Sequence, residues 1–223
     1  MPADVLIDLT AAEPALEVPA WAPDTSDELT ERILDASLTL VARWGVGKTA
    51  LSDVAKEAGC SRATLYRAFP GGKQHLFVAM GLRELAAYRQ GVVEAIASAD
   101  DLGDALTRGL VVATRLVRDH PAAQFVLAHE PGYLLPFLGF KQVDVIYRMS
   151  ATSVGPHLER FLPPDRARWA AEWSTRLLIS YLFNPAPDLD LAVPDDARHL
   201  VERFVLPALV PTSSSTPQAT PSS

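Results

Sequence analysis

The chain has 223 residues, of which 48% are hydrophobic, and its formal net charge is -7 at pH 7. This acidic balance argues against a non-specific architectural DNA-binding protein, which should be basic overall. A single cysteine excludes an intrachain disulfide, and no apolar run reaches the roughly 18 residues that a membrane span requires. The N-terminus lacks the basic segment and apolar core of a signal peptide, so we expect a cytoplasmic protein with no membrane partner.

Residues 1–24 are rich in alanine, proline and acidic side chains, and no lysine or arginine precedes Arg32. Because this segment lacks apolar periodicity, it is predicted to be a flexible acidic extension. The first helix is predicted to begin at Thr25, where Thr25 and Glu28 fit a capping box. Apolar residues then recur on one face as far as Trp44, and Gly45 is expected to end the helix.

Two short helices joined by a tight turn are predicted next. The first spans residues 51–58, and Gly59 supplies the backbone freedom that ends it. The second spans residues 62–69, and the Ser61 hydroxyl can accept an unpaired N–H of its first turn. The run Pro70-Gly71-Gly72 then stops the second helix. This spacing is typical of a helix-turn-helix.

The second of these helices has an amphipathic pattern. Leu65 and Phe69, four residues apart, are expected to pack inward, which leaves an outward face of Arg62, Thr64, Tyr66 and Arg67. Arginine can bond a guanine edge, threonine can contact a thymine methyl, and tyrosine can reach a phosphate. Lysine and arginine also outnumber acidic residues over residues 43–73. The pattern therefore predicts a DNA recognition helix, and the alternative is a structural helical hairpin with incidental arginines.

Residues 30–80 resemble the tetracycline-repressor (TetR) family of bacterial transcriptional regulators. The motifs that carry the resemblance are Trp44-Gly45, Thr49, the run Thr64-Leu65-Tyr66, Phe69 and Lys73. The resemblance implies an all-α fold with an N-terminal three-helix head containing the helix-turn-helix (residues 25–71). A C-terminal helical ligand-binding and dimerisation domain is expected to follow (residues 72–210).

Residues outside the recognition helix are expected to add contacts to the DNA backbone. Lys48 and Thr49 precede the second helix, whose N-terminus can accept a phosphate, and Lys73 opens the fourth helix. The predicted DNA-binding residues are Lys48, Thr49, Ser52, Ser61, Arg62, Thr64, Tyr66, Arg67 and Lys73.

The second domain is predicted to contain helices broken by proline. The predicted helices span residues 72–98, 102–118, 122–129, 140–161, 163–184 and 195–209, and Gly155-Pro156 is expected to kink the fourth of them. The low-complexity run PTSSSTPQATPSS makes residues 211–223 a predicted disordered tail.

A ligand pocket is predicted where prolines between His120 and Pro136 prevent close packing of the helices. The resemblance implies that a small effector binds among helices of this domain. The lining is predicted to be apolar and aromatic with few charges, which favours a hydrophobic, fatty-acid-like effector; plain core is the alternative for each residue. The predicted ligand-binding residues are Leu116, His120, Phe125, His129, Tyr133, Phe137, Tyr147 and Trp173.

Two apolar stripes lie near the C-terminus, and they contain Trp169, Trp173, Leu177, Leu178, Tyr181, Leu200, Phe204, Val205 and Leu209. The resemblance implies that the two helices bearing them pair with their twins in a homodimer, whereas intrachain core is the alternative for each position. A two-fold dimer would present two recognition helices to a palindromic double-stranded DNA operator.

No catalytic or metal-binding pattern is evident. The five histidines lack metal-ligand spacing, and GVGKT (residues 45–49) lacks the first glycine and the preceding strand of a phosphate-binding loop. We therefore expect a ligand-responsive DNA-binding repressor that has no cofactor and no enzymatic activity. The alternative is a ligand-binding or adaptor protein of the same fold without sequence-specific DNA binding.

Overall fold

A computed structural model of the chain describes residues 27–133 and 143–209, and these residues form helices and no β-strand. The predicted all-α fold is therefore confirmed. The predicted acidic extension (1–24) and tail (211–223) lie outside the described residues. None of the helices within the described ranges combines the length and the apolar character that a membrane-spanning segment needs.

The helices follow one another along the chain with short connections. A 3₁₀ turn, Pro131–Tyr133, follows the helix Pro121–His129, and a π-helical segment, Val201–Val205, joins the helix Pro194–Leu200 to the helix Leu206–Leu209. The bounds are α1 Glu28–Lys48, α2 Leu51–Glu57, α3 Arg62–Ala68, α4 Lys73–Ala97, α5 Leu102–Arg118, α6 Pro121–His129, α7 Val143–Ser153, α8 Gly155–Leu158, α9 Pro164–Phe183, α10 Pro194–Leu200 and α11 Leu206–Leu209.

Helix α1 begins later than the sequence predicted, because Asp27 is its N-cap. The Asp27 carboxylate accepts a hydrogen bond from the backbone N–H of Thr30 at 3.2 Å. The predicted capping box is therefore wrong, since Glu28 is the first residue of the helix and not its third. Helical geometry is interrupted at Gly45, whose φ of 82° is readily adopted only by glycine.

The predicted helix-turn-helix is present with its predicted caps. Gly59 has a φ of 65° and follows the end of α2. The Ser61 hydroxyl accepts a hydrogen bond from the Thr64 N–H at 3.0 Å, so Ser61 caps α3 as expected. Leu65 and Phe69 have no exposed surface. The inward face of α3 is thus the one that its sequence predicted.

Two buried apolar clusters organise the molecule. The first contains the inward faces of α1, α2 and α3, and it extends into α4 through Leu76 and into α6 through Ala122 and Val126. The second joins the C-terminal part of α4 with α5, α8, α9 and α10. Helix α4 has 25 residues, about 38 Å at 1.5 Å per residue, and contributes to both clusters. The head is therefore packed directly on α4 and α6.

Proline residues set the start of several helices of the second domain and cause interruptions in others. The single helix predicted over 140–161 is instead two helices, α7 and α8, because Pro156 lacks an N–H and obstructs the carbonyl four residues earlier. Pro164 and Pro194 begin α9 and α10. Before Pro207, the Leu206 N–H bonds the Val201 carbonyl five residues earlier. This wider turn accommodates Pro207 inside the C-terminal helix.

One buried hydroxyl in α5 provides a test of this packing. Thr107 is 3% exposed, and its Oγ1 has no hydrogen-bond partner within the described residues. We expect Thr107→Val, which keeps the shape, to raise the free energy of unfolding by about 1 kcal/mol. Thermal melting should show an increase in Tm of about 2–4 °C.

Thr114→Val is the matched control. Thr114 is also buried in α5, but its Oγ1 donates to the Leu110 carbonyl at 2.7 Å, so its removal should bring no gain in stability. Equal changes in Tm for the two variants would contradict an unsatisfied hydroxyl at Thr107.

Candidate nucleic-acid interface and ligand cavity

The outward face of α3 is available for contacts. Arg62, Tyr66 and Arg67 are exposed, and Tyr66 retains 50% of its surface. Neither arginine has an ion-pair partner within the described part of the chain. Unpaired guanidinium groups on a helix with one buried face can reach base edges or phosphates in a groove. Helix α3 therefore holds basic and aromatic side chains in fixed positions on the surface of the head.

The other predicted DNA-binding residues differ in accessibility. Lys48 and Ser61 are exposed, while Ser52 and Thr64 are half-buried. The hydroxyls of Ser61 and Thr64 lie 2.8 Å apart, so the Thr64 side chain is held against the cap of α3. Thr64 therefore has a fixed orientation.

Thr49 is the one predicted DNA-binding residue whose side chain is inside the head. It is 1% exposed, and its hydroxyl donates to the Gly45 carbonyl at 2.7 Å. This bond satisfies an acceptor left where α1 is interrupted. The Thr49 side chain cannot reach DNA, and its role in this structure is to close the turn between α1 and α2.

Lys73 is engaged with the same turn. Its Nζ donates to the Gly47 carbonyl at 3.1 Å and lies 5.4 Å from the centre of the Phe77 ring. Partial burial lowers the pKa of Lys73, and the nearby Glu130 carboxylate opposes this shift. The structure therefore gives Lys73 a structural contact in addition to the phosphate contact predicted for it.

A cavity of about 880 Å³ lies in the second domain between α5, α6, α9 and the loop after α9. Much of its wall is apolar, and proline residues of the loop complete one side. The apolar and aromatic side chains that line it come from α6 and α9, and they are Leu127, Ala128, Leu178, Tyr181, Leu182 and Phe183. A cavity of this size and lining is suitable for a small hydrophobic molecule.

The polar part of the cavity wall is anchored by an ion pair. Both terminal nitrogens of Arg118 donate to the Asp190 carboxylate, at 2.7 and 2.8 Å. Chiefly through this contact, the pKa of Asp190 falls to about 2. The Arg115 Nε also donates to the Ala192 carbonyl at 2.9 Å, so α5 holds the loop at two points. Within residues 27–133 and 143–209, no group of three or more histidine, cysteine or acidic residues could bind a metal ion.

The predicted ligand-binding residues in and next to α6 do not line this cavity. His120 is the N-cap of α6, where its Nδ1 accepts from the Ala123 N–H at 3.0 Å. Its Nε2 must then carry the proton, and it donates to Glu84 at 3.2 Å. The rings of Phe125 and His129 lie 4.5 Å apart. The cavity is lined instead by the face of α6 bearing Leu127 and Ala128.

The remaining predicted ligand-binding residues are also absent from the described cavity wall. Leu116 is exposed, the guanidinium of Arg176 lies over the Tyr147 ring at 4.0 Å, and Trp173 meets the edge of Trp169 at 5.6 Å. The Tyr133 side chain and Phe137 lie outside the described residues. Aromatic character alone does not distinguish the faces of a helix, so the described predicted residues miss this wall, while Tyr133 and Phe137 stay predictions.

The predicted apolar stripes divide between core and surface. Leu178, Leu200, Val205 and Leu209 are buried within the chain. By contrast, three large side chains of the stripes, on α9 and in the π-helical segment, remain open: Trp169 is 39% exposed, Trp173 is 44% and Phe204 is 66%. These three residues, termed the apolar face, are available to a partner.

Comparison with known proteins agrees with this architecture. The family model described as "Bacterial regulatory proteins, tetR family" matches residues 33–80. An HTH-type transcriptional regulator of Mycobacterium tuberculosis (strain H37Rv), itself uncharacterized, is 30% identical over 208 residues, which cover 89% of this chain and 95% of that protein.

Solved structures show the same fold. The TetR family repressor AlkX of Dietzia sp. strain DQ12-45-1b is 25% identical with a TM-score of 0.58, covering 81% of this chain and 94% of AlkX. The fatty acid degradation regulator FadR of Bacillus halodurans is 16% identical with a TM-score of 0.57, covering 78% of this chain and 95% of FadR. The head, the helical second domain and the extent of these matches identify the chain as a member of the TetR family of bacterial transcriptional regulators.

Proposed function

We propose that this protein is a ligand-responsive repressor that binds a palindromic operator as a homodimer and is released by a small hydrophobic effector. The observation that carries the DNA-binding part is the exposed face of α3. There, Arg62 and Arg67 have no acidic partner among the described residues and Tyr66 is exposed, while Leu65 and Phe69 anchor the opposite face. Function at an operator would place the protein in the cytoplasm.

Each part of the head has a different role in this proposal. Helix α3 enters the major groove, whose width of about 12 Å admits an α-helix. Arg62 then bonds a base edge, while Tyr66 and Lys48 reach phosphates. Phosphate contacts add affinity for any sequence, whereas contacts to base edges select the operator. The local positive charge suffices for this, although the whole chain has a net charge of -7.

Substitutions at Arg62 and Lys48 should separate these roles. With an operator enriched from random duplexes by the wild-type protein, Arg62→Ala should lose about 1–3 kcal/mol of discrimination against unrelated DNA. Lys48→Ala should weaken binding to all sequences alike and reduce the slope of log affinity against log salt by about 1. Titrations by fluorescence anisotropy at several salt concentrations measure both quantities.

Arg89→Ala is the control for a lost positive charge, since Arg89 is exposed on α4 outside the head. The Arg89→Ala variant should bind the enriched operator and unrelated DNA like the wild type at physiological salt. Equal, sequence-independent losses for the Arg62 and Lys48 variants would contradict base recognition by Arg62. Failure of the wild type to enrich any sequence would favour the ligand-binding or adaptor alternative.

The homodimer is proposed from the apolar face. Because Trp169, Trp173 and Phe204 remain 39–66% exposed, pairing with the same face of a second copy would bury their exposed surface. The two-fold axis would then place two α3 helices about 34 Å apart, which is one turn of DNA.

Light scattering tests the homodimer directly. We expect a mass of about 48 kDa at micromolar concentration, which is two chains of 24.1 kDa. Phe204→Glu should shift the protein toward the monomer, because it would bury a charge in the interface. Val193→Glu, at an exposed apolar position outside the apolar face, should remain dimeric. A wild-type mass near that of one chain would overturn the proposed homodimer.

The effector is proposed to occupy the cavity between α5, α6, α9 and the following loop. Its volume, about 880 Å³, and its apolar helices suit a hydrocarbon chain. A hydrophobic effector is also supported by the similarity to the repressor AlkX, which is implicated in biodegradation of n-alkanes. By thermodynamic linkage, effector and operator would weaken each other by the same factor, about 5- to 150-fold in typical cases.

A series of fatty acids and matching alcohols tests the cavity. Each added methylene should contribute about 0.8 kcal/mol, or roughly fourfold in affinity, until the cavity is full. Comparing each acid with its matching alcohol separates the affinity due to the hydrocarbon chain from that due to the head group. The head group matters because Arg118 and its partner Asp190 line the wall. Leu182→Trp, which fills the cavity from α9, should abolish binding in calorimetry. A flat dependence on chain length would contradict a fatty-acid-like effector.

A further inference from the structure

A carboxylate at the end of α6 joins the second domain to the turn that precedes α2. The two oxygens of Glu130 accept hydrogen bonds from the backbone N–H groups of Val46 at 2.7 Å and Gly47 at 3.1 Å. These partners are 84 and 83 residues away along the chain. Glu130 therefore holds together two elements that the sequence places far apart.

The turn is suited to a carboxylate because α1 is interrupted at Gly45. The φ of 82° at Gly45 leaves the next amides without helical carbonyl partners. A bidentate carboxylate satisfies two such donors with charge-assisted hydrogen bonds. A Cβ at position 45 would lie 2.6 Å from the Glu130 carboxyl group, so only glycine permits this approach.

Lys73 completes the same junction from α4. Its ammonium donates to the Gly47 carbonyl at 3.1 Å and interacts electrostatically with Glu130. The turn is thus held by a carboxylate from α6 at its amides and by an ammonium from α4 at a carbonyl. It leads directly into α2, the first helix of the helix-turn-helix, so a displacement of Glu130 would act on the recognition helix through α2.

Helix α6 has the head on one face and the cavity on the other. Ala122 and Val126 are buried in the cluster of the head, whereas Leu127 and Ala128 line the cavity. Glu130 follows α6 immediately as its C-cap residue. A molecule that fills the cavity therefore contacts the same short helix that Glu130 ties to the last turn of α1, after the interruption at Gly45.

We propose that Glu130 is a positioning residue that sets the placement of the head on the second domain, and that occupation of the cavity changes operator affinity through this contact. The contact between Glu130 and the turn stands on its own geometry. Its regulatory role rests on the proposed function, namely effector-controlled binding to an operator.

Hydrogen exchange tests the contact without DNA or effector. In the full-length protein, Glu130→Ala should accelerate exchange of the Val46 and Gly47 amides at least tenfold. Glu130→Gln, with one acceptor oxygen, should expose one of the two amides. The control Glu159→Ala removes an exposed carboxylate elsewhere in the second domain and should change neither. Unchanged exchange of both amides in Glu130→Ala would overturn the positioning role.

A general loss of folding would give a different pattern. The amides of Leu65 and Phe69 report on the core of the head, and their exchange should be unchanged in Glu130→Ala and Glu130→Gln. Acceleration of these core amides to the same extent as the Val46 and Gly47 amides, in both variants, would show that Glu130 maintains the fold as a whole. That result would overturn a specific role at the turn.

A double-mutant cycle tests the coupling between the cavity and operator binding. A tryptophan substitution in the cavity wall takes the place of a bound effector. Ala128→Trp fills the cavity from α6 and should weaken binding of the enriched operator by about tenfold. In the Glu130→Ala background, the same substitution should change affinity less than twofold, because the connection to the turn is missing. An equal effect in both backgrounds, or no effect in either, would overturn the coupling.

The outcomes of these experiments distinguish failure of the proposed function from failure of the inference about Glu130. If the wild type enriches no operator, the proposed function fails, and the exchange of the Val46 and Gly47 amides still decides whether Glu130 positions the head. If operator binding is found but Glu130→Ala leaves both the exchange and the effect of Ala128→Trp unchanged, the proposed function stands and this inference fails.

Discussion

Burial of Leu65 and Phe69 is the packing constraint on which the candidate DNA interface depends. Helix α3 has only seven residues, and so short a helix is not stable by itself in water. Its orientation therefore comes from the apolar cluster that it shares with α1, α2, α4 and α6. Because two inward side chains fix the helix, the position of every group on its outer face is fixed as well.

The same cluster explains why the head is not an independent unit in this molecule. Its apolar packing continues into α4 and α6, and the polar junction at Glu130 and Lys73 reinforces this continuity at the turn after α1. The cavity begins on the opposite face of α6. One helix of nine residues therefore separates the candidate effector site from the core of the head.

Features set by neighbouring residues could be predicted from the sequence. The cap at Ser61, the turn at Gly59 and the inward side chains of α3 all depend on residues one to four positions apart. Thr49 shows the limit of such reasoning. A threonine before a helix is typical of a surface cap, but here its hydroxyl is buried against Gly45.

Contacts between distant segments left no signal in the sequence pattern. The pair of Arg118 and Asp190 spans 72 residues, and the contact of Glu130 with Val46 spans 84. The cavity wall likewise depends on which face of α6 meets the head, and the aromatic residues His120, Phe125 and His129 gave no information on that point. Their side chains interact with α4 or with each other. Three-dimensional packing was needed to find the lining.

Gly45 and Glu130 restrict each other during divergence of the sequence. Any L-residue at position 45 would have to adopt a φ near 82° and would meet the Glu130 carboxyl group at 2.6 Å. A larger residue at position 45 would force the Glu130 carboxyl group to move, and a shorter side chain at position 130 would leave the Val46 and Gly47 amides without this acceptor. A change at either position disturbs the same contact, so the two positions are expected to evolve as a pair.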